Sequence, residues 1–236
     1  MRIDSLWDAV QTAAGSGIAP GPSLWRITCS HIDSRHLDDA VLRGWLTELE
    51  RREADRRAGP ELRSRFGARR VLRRLVVAAS LGQAPTEVAV EAKCFRCGGA
   101  SHGHPFVVAP VPHALSISTS SIDDRIVIAL GMGSIGVDIE SSDRADPVDR
   151  VHGARAIAGW ERVMEVCPPD ASTVEIWSAI EALSKTTGRG LLASPVDIEA
   201  AIAEHRLTWI PDGPGRTICV AVPASAPALT TIEIAV

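Results

Sequence analysis

The chain has 236 residues, 45% of them hydrophobic and 23% charged, and a formal net charge of −4. That balance suits a folded globular chain and weighs against nucleic-acid binding, which favours a basic surface. No apolar run approaches the ~18 residues of a membrane span, and the first residues lack the basic start and apolar core of a signal peptide. The five scattered cysteines (Cys29, Cys94, Cys97, Cys167 and Cys219) point to reduced thiols in a cytoplasmic protein rather than to a disulfide framework.

Residues 1–22 combine a short possible helix with the stretch AGSGIAPGP and are expected to form a flexible leader. A first strand is predicted within residues 22–33. Asp39–Arg56 reads as a helix with Leu42, Trp45, Leu46 and Leu49 on one apolar face. Gly59-Pro60 breaks it, and Glu61–Leu81 follows as a second helix with a stripe of Phe66, Val71, Leu72, Leu75 and Val76 and Gly82 at its end. Residues 50–74 carry ten Arg against four acids, a basic stretch that suits either a phosphorylated ligand or a solvated helix face.

Short β-like runs over 86–118 are interrupted by CGGASHGHP. Leu115–Ser120 and Arg125–Leu130 then read as a hairpin, and Gly136–Glu140 as a further strand. Val151–Cys167 is predicted helical. Ser172 or Thr173 caps a last long helix to Thr187, ended by Gly188-Arg189-Gly190, and three strands close the chain as a meander. The order implies an α+β fold of two packed halves, 23–124 and 125–236.

Three segments carry chemistry. In the strand GVDIE the side-chain alternation puts Asp138 and Glu140 on one face and Val137 and Ile139 in the core. Two carboxylates on one strand face call for solvent or a hard cation such as Mg²⁺; a plain exposed face is the simpler alternative. On the helix WSAIEALSKTTGRGL, Glu181 and Lys185 stand four apart and share a face, which by itself is also the signature of a surface ion pair. Of the 25 basic residues only Lys93 and Lys185 are lysines, so a Lys at that position is a marked choice. Finally, Cys94-x-x-Cys97 with His102 and His104 resembles a set of zinc ligands, though more tightly spaced than the usual two-knuckle site; a thiol-bearing hairpin is the simpler reading. There is no glycine-rich nucleotide loop of the P-loop or Rossmann type.

The combination of GVDIE with the later W-x-x-x-E-x-x-x-K-x-x-G-x-G-L helix resembles the surfactin-type (Sfp-type) 4′-phosphopantetheinyl transferases. ELRSRFGARRVLRRL resembles that family's Arg-rich helix, CGGASHGHP its C-G-x-x-H-G-K-P loop, and LSISTSS its S-x-S-H-S strand. The resemblance implies two similar α+β halves with the active site between them. It implies transfer of 4′-phosphopantetheine from coenzyme A to a serine of an acyl or peptidyl carrier protein, with release of adenosine 3′,5′-bisphosphate. By position, Asp138, Glu140 and Glu181 would hold Mg²⁺, Glu181 would accept the serine proton and Lys185 would steady phosphate charge. Arg65, Arg69, His104, Ser118 and Thr119 would meet coenzyme A. A monomer is the expectation, with no nucleic-acid or membrane partner.

Three positions depart from the family pattern. Thr119 stands for a His, Ile180 for a Lys and His104 for a Lys, each removing a donor to phosphate. Charge-assisted hydrogen bonds contribute ~1.5–3 kcal/mol each, so losing two or three weakens coenzyme A binding roughly 10²–10⁵-fold. Two alternatives to the transferase therefore stay open. One is an enzyme of natural-product biosynthesis acting on a carrier-bound acyl thioester through Ser116, Ser118, Thr119, His102, His104 and Glu181. The other is a non-catalytic carrier-binding protein.

Overall fold

A computed structural model describes residues 3–15, 21–28, 44–100, 102–109, 115–142 and 159–235. Helices α1 (Ile3–Ala14), α2 (Glu48–Asp55) and α3 (Pro60–Leu81) precede or intersperse strands β1 (Ser23–Thr28), β2 (Ala89–Lys93), β3 (His104–Ala109), β4 (Leu115–Ile122) and β5 (Arg125–Met132). Strand β6 (Gly136–Ser141), helices α4 (Trp160–Val166), α5 (Thr173–Thr186) and α6 (Pro195–Glu204), and strands β7 (His205–Pro211), β8 (Arg216–Pro223) and β9 (Thr230–Ala235) follow among the described residues. The fold is α+β with a mixed sheet. The larger sheet has the order β2-β3-β4-β5-β1-β9 and the smaller one β6-β8-β7. β1 pairs with β9 in parallel; the other pairings are antiparallel. Among the described residues no helix is long and apolar enough to cross a membrane.

Strand alternation sorts the core into three seams. On β5, Ile126, Ile128 and Leu130 face α1–α3. Val127 and Ala129 face the other way and meet Val137, Ile139, Ile218 and Val220 between the two sheets. Cys219 and Ala221 of β8 then pack with Ala179, Ile180 and Leu183 of α5. The result is four layers: helices, larger sheet, smaller sheet, helices.

Several sequence expectations change here. The segment read as a flexible leader contains packed helix α1, whose Leu6 and Val10 are buried one turn apart. The helix expected over Asp39–Arg56 is interrupted near Thr47, which caps α2 through a reciprocal capping box with Glu50; residues 39–43 lie outside the described residues. The interruption changes the helical phase and leaves Leu49 exposed. The boundary drawn between 124 and 125 falls inside the β4–β5 hairpin, where Asp123 adopts φ 46 in a two-residue turn. β9 leaves the expected closing meander and crosses to the larger sheet, where Ile234 joins the α1–α3 core.

The basic stretch divides: Arg52, Arg56 and Arg57 are exposed, whereas others are taken up inside the fold. Arg73 and Arg74 are buried, and Arg74 donates to Trp45 O at 2.6 Å and to Glu50 Oε2 at 3.3 Å, tying α3 to α2. Burial, then neighbouring Arg70, pushes the Arg73 guanidinium down to about 9. Arg57 and Arg70 each lie over the Phe66 ring, 5.0 and 4.9 Å from its centroid.

Candidate functional site

The site is built where α5 sits on β6. Ser172 caps α5 by a reciprocal box with Glu175, and Ile176, Ala179, Ile180 and Leu183 bury its inner face. The contact is close: a Cβ on Gly136 would lie 1.8 Å from Ala182 O, so only glycine admits the helix at this distance. With α5 so placed, Lys185 Nζ donates to Val137 O at 2.9 Å and to Asp138 Oδ1 at 2.7 Å. Glu181 Oε2 lies 3.5 Å from the same ammonium. Ser178 Oγ donates to Asp138 O at 3.3 Å.

Strand β4 closes the other side. Ser120 Oγ donates to Asp138 Oδ1 at 2.8 Å, and Ser118 Oγ accepts the Val137 N–H at 3.0 Å. Asp138 is only 2% exposed, and its Oδ2 has no hydrogen-bond partner. A buried carboxylate oxygen without a donor is costly and marks a place where a cation or water fits.

Electrostatics follow from this crowding. Burial, then the charges of Asp138 and Glu140, raises the Glu181 carboxyl to about 7, although Lys185 opposes the shift. Burial works against the Lys185 ammonium, but Asp138 and Glu181 outweigh it and hold its pKa above the ordinary value. Two carboxylates, Asp138 and Glu181, thus share one ammonium, and the Glu140 charge acts on Glu181. Asp138, Glu140 and Glu181 nevertheless do not bring three ligand atoms all within 4.8 Å of one another; the Lys185 ammonium contacts both the first and the last.

Beside the cluster lies a cavity of about 260 Å³ lined by Ser118, Thr119, His104, Lys185, Arg96 and Arg189 among others. Its charged lining residues, Arg96, Lys185 and Arg189, are all cationic. Burial lowers the His104 pKa, so this residue is a neutral donor or acceptor at neutral pH. Thr119 Oγ1 is buried without a partner. Arg189 stacks over the Phe95 ring at 4.6 Å and donates to Asp197 Oδ2 at 2.8 Å.

No protein-family model and no curated protein matches this chain.

The residues singled out in the sequence thus divide. Asp138, Glu181, Lys185, Ser118, Thr119 and His104 come together, and Glu140 is close enough for its charge to act on Glu181. Arg65 and Arg69 do not line the cavity: Arg65 pairs with Glu61 at 2.9 Å, and Arg69 donates to Ser121 Oγ at 3.2 Å on the α3 side of the larger sheet. Ile180 is fully buried in the α5 core, so this position faces away from the cavity and its lack of charge removes nothing from it. Lys185, expected at a phosphate, spends two hydrogen bonds on β6 while one side of it lines the cavity.

Sequence reasoning missed Ser120, Arg96 and Arg189. The alternation Ser118–Ser120 was the available signal for the first, since both face β6. Arg189 was noted only as part of a helix stop. His31, His36, His113 and His152 fall outside the described residues.

Proposed function

We propose that the chain is a phosphopantetheinyl-transferase-like enzyme that moves 4′-phosphopantetheine from coenzyme A to a carrier-protein serine. The observation that carries the reading is Asp138 Oδ2, a buried carboxylate oxygen without a donor, set against Glu181 and next to a cation-lined cavity.

Asp138, Glu140 and Glu181 are the carboxylates that would hold a hard divalent ion, with Asp138 Oδ2 the buried oxygen that has no donor. Mg²⁺ held there would supply charge neutralisation to a pyrophosphate and its leaving oxygen. The chain's own groups do the rest. Arg96, Arg189 and Lys185 attract and orient the pyrophosphate. Glu181, a half-buried carboxyl at the edge of the cluster, accepts the serine proton. The serine oxygen forms a bond to the pantetheine-bearing phosphorus as that phosphorus loses the oxygen of adenosine 3′,5′-bisphosphate. Lys185 and Ser120 hold Asp138 Oδ1, which leaves Oδ2 as the oxygen free to serve the site.

The test follows the nucleotide product. Adenosine 3′,5′-bisphosphate should appear only when coenzyme A, Mg²⁺ and a carrier protein are all present, and Glu181→Gln should abolish its release. A second reading rests on two observations: the cavity is only about 260 Å³, and Thr119 offers a hydroxyl where the family pattern has a His. It is an enzyme of the same fold acting on a carrier-bound acyl thioester. That reading is favoured if coenzyme A fails to bind while a loaded carrier protein is turned over.

A further inference from the structure

The β2–β3 loop holds a cluster that phosphoryl transfer does not use. Cys94, Cys97 and His102 each direct one metal-type donor atom into a group spanning no more than 4.8 Å. Cys97 Sγ and His102 Nε2 are 3.5 Å apart. A tetrahedral Zn²⁺ with Zn–S of ~2.3 Å and Zn–N of ~2.0–2.1 Å separates its sulfur and nitrogen ligands by about 3.6 Å. The pair already stands at that separation.

The loop backbone is folded to make this possible. Cys94 N–H donates to Gly99 O at 2.9 Å, and Gly98 N–H donates to Cys94 O at 2.9 Å. Gly99 N–H donates to Cys97 Sγ at 3.4 Å, an interaction that stabilises a thiolate. Gly103, at φ 102, passes so close to the start of the loop that a Cβ would lie 2.3 Å from Lys93 O and 2.5 Å from Cys94 Cα. Glycine there lets the returning chain press against Cys94 and puts His102 beside both thiols. His104, the remaining residue of the sequence pattern, lies toward Gly188 and the cavity.

We propose that Cys94, Cys97 and His102 bind one Zn²⁺, with the fourth position open to water. Thiolate and imidazole donors select zinc over magnesium, whereas the carboxylates around Lys185 have the opposite preference. Binding forms two Zn–S bonds and one Zn–N bond, and the two thiol protons leave to solvent. The ion pins a wall of the cavity. Phe95, between the two cysteines, stacks under Arg189, and Cys94, Phe95 and Arg96 all line the space that Arg189 also faces. Loading the loop therefore fixes the cationic wall without contributing a reacting group.

The test uses the full chain, reduced and stripped with a chelator. Titration with Co²⁺ should give a thiolate-to-cobalt charge-transfer band that saturates at one equivalent and disappears on adding Zn²⁺. Zn²⁺ should also slow the reaction of the exposed thiols with a disulfide reagent by at least about tenfold, because a metal-bound thiolate is not a free nucleophile. Cys97→Ser should lower the band and the affinity with an unchanged circular-dichroism spectrum, and His102→Ala should weaken binding while retaining sulfur charge transfer. Glu181→Gln should leave the band as it was. Absence of the band in the unmodified chain, a band that survives Cys94→Ser/Cys97→Ser, or undiminished thiol reactivity at saturating Zn²⁺ overturns the proposal.

Discussion

Replacing Lys185 by Met should destabilise the chain far more than loss of a surface charge would. Asp138 is 2% exposed, and its Oδ1 is held by Lys185 Nζ at 2.7 Å and Ser120 Oγ at 2.8 Å. Removing the ammonium leaves a buried carboxylate with one neutral donor, and also strips Val137 O of its bond to Lys185. Breaking a buried ion pair from one side costs about 3–5 kcal/mol, against about 0–1 kcal/mol for an exposed pair. The Lys185 side chain is 24% exposed, so a cost near 3 kcal/mol is expected. For a chain of this size that is roughly a 6–12 °C drop in melting temperature. Urea unfolding at pH 7.5 measures it, with Asp138→Asn added to the Lys185→Met background as the control. The double variant should recover much of the loss, because position 138 then carries no buried charge without its lysine. A loss under about 1 kcal/mol in Lys185→Met, or no recovery in the double variant, would refute the account of Asp138 as a buried, lysine-dependent charge.

The Glu181 pKa makes stability pH-dependent in a definite direction. Its folded value of about 7 lies above the ordinary 4.5, so the folded state binds the proton more tightly. The resulting stability is complete below pH 4.5 and is lost as pH rises through 7, by up to about 3 kcal/mol. Glu181→Gln should flatten that decline in chemical unfolding measured from pH 5 to 8; an unchanged slope would contradict the shift. Gly136→Ala should cost about 3 kcal/mol in the same assay, because its Cβ would meet Ala182 O at 1.8 Å in a packed core. Thr119→His should tighten coenzyme A binding by about tenfold or more in calorimetry, the worth of one charge-assisted hydrogen bond.

The centre of the site was legible because two short-range periodicities determine it. Alternation along GVDIE places Asp138 opposite Val137, and four-residue spacing places Lys185 one turn beyond Glu181. Neither periodicity says which way a helix is turned on its sheet. The Ile180 position was therefore read as part of the cofactor site, although the packing of α5 on the smaller sheet carries it into the core. The basic stretch failed for a similar reason. Composition cannot distinguish an arginine that meets a ligand from Arg74, which caps Trp45 O inside the fold. The crossing of β9 and the location of Arg189 depend on contacts between distant segments, for which a single sequence carries no signal. The Cys94–His102 spacing was visible, but its compactness became meaningful only with the turn at Gly103 that brings the histidine back.

The most direct measurement is the intact mass of a carrier protein after incubation with the chain, coenzyme A and Mg²⁺. The account predicts a gain of one phosphopantetheine group on a single serine, absent with Asp138→Asn or Glu181→Gln. A carrier mass that never changes, with several carrier proteins and saturating coenzyme A, would contradict phosphopantetheinyl transfer as the activity of this site.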